Sequence, residues 1–183
     1  CSSDLTLPDS VTAIRRESFF SCTSLVSIDL PDGITRIGPN AFAYCIALPH
    51  VKLPKSLSII ESGVLSFCYS LKHVSIPEGV TEIRSGAFTH CIFESIVFPS
   101  SVKTFESGSF GRCPQFSSAY FQGNAPFVYG YPFTECSLGL TVYYASSSTG
   151  FTNPWHIYST APLRTLLLTA TSELRGIRID ETS

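Results

Sequence analysis

The cysteines and histidines are the residues of this chain whose types could carry chemistry, and their spacing decides how they are interpreted. The 183 residues include seven cysteines and four histidines. A constant interval places each cysteine at the same point of a repeating unit instead of gathering them round one centre. We therefore expect a row of reduced, buried thiols, since unpaired cysteine is among the most buried residue types. Six cysteines follow one another at intervals of 23, 23, 23, 22 and 23 residues: Cys22, Cys45, Cys68, Cys91, Cys113 and Cys136.

Two features of the cysteines leave alternatives open. Neighbouring units would lie close to the Cα separation of about 5.5 Å that a disulfide requires, so pairing between adjacent units competes with the row of thiols. Cys1 falls outside the interval. It is either the lipid-bearing first residue of a mature lipoprotein, followed by the polar stretch 2–4, or the start of a truncated first unit.

The histidines do not form a catalytic motif. The sequence has no HExxH, no G-x-S-x-G and no glycine-rich phosphate loop. His50 and His73 occupy equivalent places in adjacent units, but zinc usually takes three or four ligands, and Lys52 would oppose a cation. A grouping of Asp29, His73 and Ser75 would lie on an open surface without an oxyanion site. We expect surface histidines, no metal ion, no cofactor, no catalytic residues and no enzymatic activity.

The elements that position these residues follow from the same period. Polar and apolar residues alternate before each proline, as in residues 27–30, which is typical of a half-buried strand. Proline then ends the strand because it lacks a backbone donor. A second, weaker extended piece follows, and the three-residue spacing of Phe42 and Cys45 indicates one face of a single helical turn. The recurring prolines are Pro8, Pro31, Pro54, Pro77 and Pro99.

The repeating unit identifies a family resemblance. Residues 25–45 resemble the 23-residue leucine-rich repeat of the BspA-like, or treponemal, class, and the match extends over residues 1 to about 144. The copy at 91–94 is one residue short, and the copy after Phe121 loses its proline. The residues that carry the resemblance in this unit are Leu25, Ile28, Leu30, Pro31, Ile34, Ile37, Gly38, Ala41, Phe42 and Cys45.

The resemblance implies a leucine-rich repeat solenoid. Such a fold is a curved right-handed coil with a parallel β-sheet on its concave side and short extended or single-turn helical segments on its convex side. We expect the repeats to occupy residues 1–121, and a divergent last repeat with a C-terminal cap and a polar tail to occupy 122–183. Members of the family are mostly bacterial or protozoan surface proteins implicated in adhesion.

Binding residues are expected on the outward-facing positions of the concave strands. Alternation places one row at Asp4, Ser27, His50, His73, Ser95 and Ser118, and a second at Thr6, Asp29, Lys52, Ser75, Val97, Tyr120 and Tyr143. The predicted binding residues are Asp29, His50, Lys52, His73, Ser75, Val97, Tyr120 and Tyr143.

The C-terminal part of the chain is aromatic and nearly uncharged. Between Arg112 and Arg164 the only charged residue is Glu135. Exposed tyrosine and tryptophan in such a stretch are typical of interfaces and apolar pockets. The competing interpretation is that these rings close the end of the solenoid. Residues 163–168 would add a strand there, and 173–183 would form a loose tail.

Composition narrows the functional classes. A net charge of -2 with no basic stripe argues against nucleic acid. No apolar run reaches the ~20 residues of a membrane span, so a lipid on Cys1 would be the only membrane attachment. We expect a protein-interaction module on the cell surface, in the periplasm or secreted, which binds a host surface or matrix protein. The alternative is a carrier of a small hydrophobic ligand or lipid near the aromatic end.

Overall fold

The computed structural model of the chain describes residues 2–163, except for the side chain of Leu163. Each repeat contributes two short strands, and the paired strands run parallel. The longer strands form the concave sheet, and two-residue strands form a second row further along each coil. The concave strands are β1 (Asp4–Thr6), β3 (Ser27–Asp29), β5 (His50–Lys52), β7 (His73–Ser75), β9 (Ser95–Phe98), β11 (Ser118–Phe121), β13 (Thr141–Ala145) and β14 (Ser159–Leu163). The second row comprises β2 (Ala13–Ile14), β4 (Arg36–Ile37), β6 (Ile59–Ile60), β8 (Glu82–Ile83), β10 (Thr104–Phe105) and β12 (Phe127–Val128).

The strands pair in the register that the repeat predicts. Leu5 lies beside Ile28, and Val51 lies beside Val74, each pair one repeat apart. The hydrogen-bonded ladder of the concave sheet is interrupted between β3 and β5 and between β7 and β9, although these strands still lie side by side. The predicted leucine-rich repeat solenoid is therefore confirmed.

The core is a set of ladders built from equivalent residues of successive coils. The positions predicted to be apolar face inward, and Ile34, Phe42 and Val80 have no exposed surface. In the later coils phenylalanine replaces the aliphatic residues, and the ring centroids of Phe98 and Phe110 lie 5.2 Å apart. Burying these side chains is the main favourable term that holds the coils together.

The segment after each short strand is a run of turns, and the described residues contain no helix. Phe42 and Cys45 are one hydrogen-bonded turn apart, with 3.3 Å from the Cys45 nitrogen to the Phe42 oxygen. Two residues of the turn run, Asn40 and Tyr44, have φ of 55° and 62°. Left-handed residues at this spacing prevent a continuous α-helix, which is why the predicted helical turn does not form.

The turn runs also join the coils. Within a run, alternate N–H groups donate to the same coil and to the following coil. The N–H of Phe42 donates to the carbonyl of Val64, and that of Tyr44 donates to the carbonyl of Ser66, both at 2.9 Å. Donors from the later coil act as well, since the N–H of Gly38, at the end of β4, donates to the carbonyl of Ile14 at 2.8 Å. Each interface between coils is thus held by donors from both sides.

The strand ladders continue beyond Phe121. β12 pairs with β10, β13 with β11, and β14 with β13. The strand that packs against the end begins at Ser159 and includes Leu163, whereas the sequence predicted one at 163–168. Residues 164–168, the predicted tail at 173–183 and Cys1 lie outside the described residues. Within 2–163 there is no helix long and apolar enough to cross a bilayer.

Candidate interaction surface

The two concave rows predicted from the sequence are formed in the sheet. His50 lies directly beside His73, and Lys52 lies beside Ser75. Further along, Tyr120 stands between Val97 and Tyr143. Successive side chains of a strand point to opposite faces, so residues such as Val51 enter the core while their neighbours His50 and Lys52 face outward. The register therefore brings the predicted binding residues onto one surface.

The first four coils give this surface a polar and charged part. Its predicted binding residues are all exposed: Asp29, His50, Lys52, His73 and Ser75. At its edge, the hydroxyl of Ser27 donates to the carboxylate of Asp4. That hydrogen bond, with a second from Ser3, lowers the pKa of Asp4. The polar part thus offers both signs of charge and several hydrogen-bonding groups to a partner.

The histidine pair is a surface feature. Within residues 2–163, no three histidine, cysteine, aspartate or glutamate side chains come together in a group that could hold a metal ion. His50 and His73 are exposed on an open sheet, with Lys52 on the same strand as His50. This arrangement can donate and accept hydrogen bonds but provides no enclosed site for a reaction.

The later coils give the concave surface an aromatic part. The rings of Tyr120 and Tyr143 stack with centroids 4.8 Å apart and an interplanar angle of 14°. Tyr143 and Val97 are half-buried, whereas Tyr120 is only 6% exposed. Burial also raises the pKa of Tyr120. Tyr120 was predicted as an exposed binding residue, but its neighbours on both sides cover it, so Tyr143 is the more exposed of the two tyrosines.

Some of the remaining aromatic residues close the end of the core. Trp155 and Tyr158 are buried, and the ring centroids of Phe121 and Trp155 lie 5.6 Å apart. The N–H of Phe133 donates to the hydroxyl of Tyr158 at 3.2 Å. Burial raises the pKa of Tyr158 to about 12. These contacts favour the cap interpretation, and the hypothesis of a hydrophobic carrier stays a prediction.

The cysteine row is structural. Five thiols are free, and each donates to a carbonyl of an earlier coil, as Cys91 does to Leu65 at 3.4 Å. Cys22 is disulfide-bonded, so the expectation of six reduced thiols is wrong for this member. Burial raises the pKa of Cys45 to about 11. A small side chain with a weak donor suits this point of the coil, because it satisfies a buried carbonyl. The free thiols are those of Cys45, Cys68, Cys91, Cys113 and Cys136.

Sequence reasoning missed a second surface, which lies on the turn runs. Rings from consecutive coils stack there: Tyr44 on Phe67 at 4.4 Å, and Phe67 on His90 at 4.6 Å. The signal that could have found it is the recurrence of large apolar residues near the same repeat position in the first coils. We call this surface the aromatic stripe, and it consists of Phe20, Tyr44, Ile46, Phe67, Tyr69 and His90.

Comparison with known proteins identifies the family. A family model described as the BspA type leucine-rich repeat region matches with six copies, over residues 1–117 and 37–153. The chain belongs to the BspA-type leucine-rich repeat family. The resemblance drawn from residues 25–45 is thereby confirmed, and the cysteine and proline intervals are those of this repeat.

Solved structures of this repeat class are similar to the chain. A leucine-rich cell surface protein from Faecalibacterium prausnitzii is 31% identical with a TM-score of 0.63, and the match covers 67% of this chain and 33% of that one. The T. pallidum leucine-rich repeat protein is 28% identical with a TM-score of 0.59, covering 70% and 73% respectively. A Bacteroides ovatus leucine-rich repeat protein is 27% identical with a TM-score of 0.52, covering 81% and 51%. The matched part thus spans about one third of the F. prausnitzii protein and half of the B. ovatus protein. None of the curated proteins matches the chain.

Proposed function

We propose that this chain is a non-enzymatic protein-interaction module whose concave face binds a protein partner. The proposal rests on one observation: consecutive parallel strands hold different outward-facing side chains in register, from Asp29 through Lys52 and His73 to Tyr143. Because each coil is fixed by its neighbours, these side chains are held in place before a partner arrives. Preorganisation of this kind reduces the entropic cost of association.

The extent of the face supports a macromolecular partner. Eight concave strands at about 4.8 Å spacing span roughly 34 Å, which suits a standard interface of about 800 Å² per partner. The half-buried ring of Tyr143 could serve as an aromatic anchor of the interface. The charged residues of the first four coils could form its polar rim. The same open geometry gives no enclosure for catalysis, which supports a non-enzymatic role.

A location on the bacterial surface or in the secreted fraction is part of the proposal. It is supported by the similarity to the F. prausnitzii protein, which is a cell surface protein. An adhesion role, with a host surface or matrix protein as partner, is the form of the proposal that the family resemblance favours. The polar rim and the aromatic anchor are both chemically suited to a protein surface.

The test is a binding assay with matched variants. The immobilised chain is exposed to a panel of host surface and extracellular matrix proteins, and any binder is titrated against Lys52→Glu and Tyr143→Ala. Lys103→Glu is the control because Lys103 is exposed but lies in the turn before β10, where it donates to the carbonyl of Ser100. We expect the two concave variants to lose affinity by about tenfold or more, as at interface hot spots. A confirmed partner that binds all three variants equally would place its site elsewhere and refute the concave face.

A further inference from the structure

Two free thiols at the C-terminal end of the cysteine row belong to coils that touch each other. Cys113 and Cys136 are equivalent residues of consecutive coils, 23 positions apart. The N–H of Arg112 donates to the carbonyl of Thr134 at 2.7 Å, and the Arg112 guanidinium pairs with Glu135 at 3.2 Å. Neighbouring parallel segments lie about 4.8 Å apart, which falls within the Cα separation that a disulfide allows. The backbone therefore permits a bond between the two sulfur atoms.

Access from solvent distinguishes this pair from the other free thiols of the described residues. Cys136 is half-buried, whereas Cys45, Cys68, Cys91 and Cys113 are buried. An oxidant in solution therefore reaches Cys136 before it reaches any of those four. Cys113, which has no exposed surface, is the neighbouring thiol in the row.

The contact between the two thiols favours the ionised form of the outer one. A hydrogen bond between them lowers the pKa of Cys136 and raises that of Cys113. The thiolate is the nucleophilic form of cysteine, so Cys136 is the attacking group of the pair. A solvent-accessible thiol of lowered pKa beside a second thiol is typical of cysteines that respond to oxidants.

The other end of the row shows that this position of the coil accepts a disulfide. Cys22 occupies the same repeat position as Cys136 and is disulfide-bonded. The preceding residues, Ser21 and Glu135, both have a left-handed φ of 55°. The backbone that presents the sulfur atom is thus alike at both places, and a disulfide at Cys136 requires no turn geometry that the fold does not already use.

From these observations we propose that Cys113 and Cys136 are an oxidisable dithiol, in which Cys136 reacts with hydrogen peroxide and Cys113 converts the product to a disulfide. The Cys136 thiolate attacks one peroxide oxygen, the O–O bond breaks, and the departing hydroxide takes up the proton that Cys136 released. The Cys113 sulfur then attacks the sulfur of the Cys136 sulfenic acid. An S–S bond forms, and the hydroxyl leaves as water with the Cys113 proton. One peroxide is reduced to two waters while two thiols are oxidised to one disulfide.

The disulfide would tie the last coil of the cysteine row to the coil before it. It would also remove the thiol hydrogen bonds from Cys113 to the carbonyl of Phe88 and from Cys136 to the carbonyl of Phe110, at 3.1 and 2.9 Å. Leaving buried carbonyls without a donor is unfavourable. This loss opposes oxidation, so we expect a small dithiol to reduce the bond again.

Mass spectrometry of the full chain after treatment with hydrogen peroxide tests the proposal. Trypsin cleaves after Arg112 and Arg164 and at no residue between them, so one peptide, 113–164, carries both thiols and no other cysteine. We expect this peptide to lose two hydrogens about tenfold faster than Cys91 is oxidised in the same protein. Dithiothreitol should restore them.

Three variants separate the roles of the thiols. In Cys113→Ser the Cys136 sulfenic acid has no second thiol to attack it, so dimedone should trap it and no disulfide should form. In Cys136→Ser we expect Cys113 to stay reduced. Cys45→Ser is the matched control, because it removes a thiol of the same row outside the pair and should leave the reaction unchanged. Thermal unfolding checks that each variant is folded, and Cys113→Ala replaces the serine variant if that protein does not fold.

Three results would overturn the proposal. Peptide 113–164 of the wild type would keep all its hydrogens, Cys91 would be oxidised as fast as Cys136, or Cys113 would react as readily in Cys136→Ser as in the wild type. The experiment uses no partner, so the dithiol and the binding function of the concave face fail independently.

Discussion

Replacing Cys91 with valine tests whether the cysteine row stabilises the coils by hydrogen bonding or by apolar burial alone. Cys91 has no exposed surface, and its thiol donates to the carbonyl of Leu65, which is equally buried. Valine retains the apolar burial but removes the donor. An unsatisfied buried carbonyl costs about 1 to 3 kcal/mol, which at about 2 to 4 °C per kcal/mol lowers the unfolding midpoint by about 2 to 12 °C.

Thermal unfolding followed by circular dichroism measures this change, and two further variants control it. Cys91→Ser retains a donor while losing apolar contact, so we expect it to be more stable than the valine variant. Cys136→Val removes the equivalent hydrogen bond to the carbonyl of Phe110 at a half-buried site, where water can replace the thiol. We therefore expect it to destabilise the fold less than Cys91→Val does. A Cys91→Val protein as stable as the wild type would refute the hydrogen-bond reasoning.

Three further predictions follow from the described burial and pKa shifts. Iodoacetamide at neutral pH should modify Cys136 first and Cys91 last, because Cys136 is half-buried and the Cys113 thiol lowers its pKa; mass spectrometry of peptides measures the order. The free energy of unfolding should fall between pH 9 and about 11, where the thiol of Cys45 ionises in the unfolded chain but stays protonated when folded; Cys45→Ala should reduce that slope in urea titrations. Tyr120→Ala should lower the free energy of unfolding by about 3 kcal/mol, and Tyr143→Ala should lower it clearly less, because only Tyr120 is buried; urea titrations of the two variants measure the difference.

Each of these predictions has a contrary result. Labelling of Cys91 before Cys136 would mean that the coils open locally before the thiols react. A flat stability profile above pH 9 would show that the Cys45 thiol is solvated in the fold. Equal costs for the two tyrosine variants would show that Tyr120 is no more buried than Tyr143.

The sequence predicts the solenoid well because its regularities are those of the core. Prolines and apolar residues at a fixed interval predict which residues of each strand face inward, and a period of two then predicts the outward rows. The direct pairing of His50 with His73 and of Tyr120 with Tyr143 follows from that register. Positions separated by one period must lie beside each other if the coils stack, so no further information is required.

Other features depend on geometry that the repeat does not encode by residue type. Tyr44, Arg112 and Glu135, which share one repeat position, all adopt left-handed φ, and nothing in their chemistry predicts it. The helical-turn prediction therefore failed at a position where the closure of the coil determines the backbone. The burial of Tyr120 depends on how closely its neighbours approach on the concave side. The alternation of inward and outward residues along a strand does not predict that distance.

The hydrogen bonds that join successive coils, at the turn runs and at the strands, have a mechanical consequence. Both sets of bonds lie along the solenoid axis, so tension applied to the two ends would load all interfaces between coils in series, and they would open one at a time. Each interface that opens releases one coil of 23 residues, or about 80 Å of extended chain. Such a chain would lengthen in steps and dissipate force while its remaining coils stay folded.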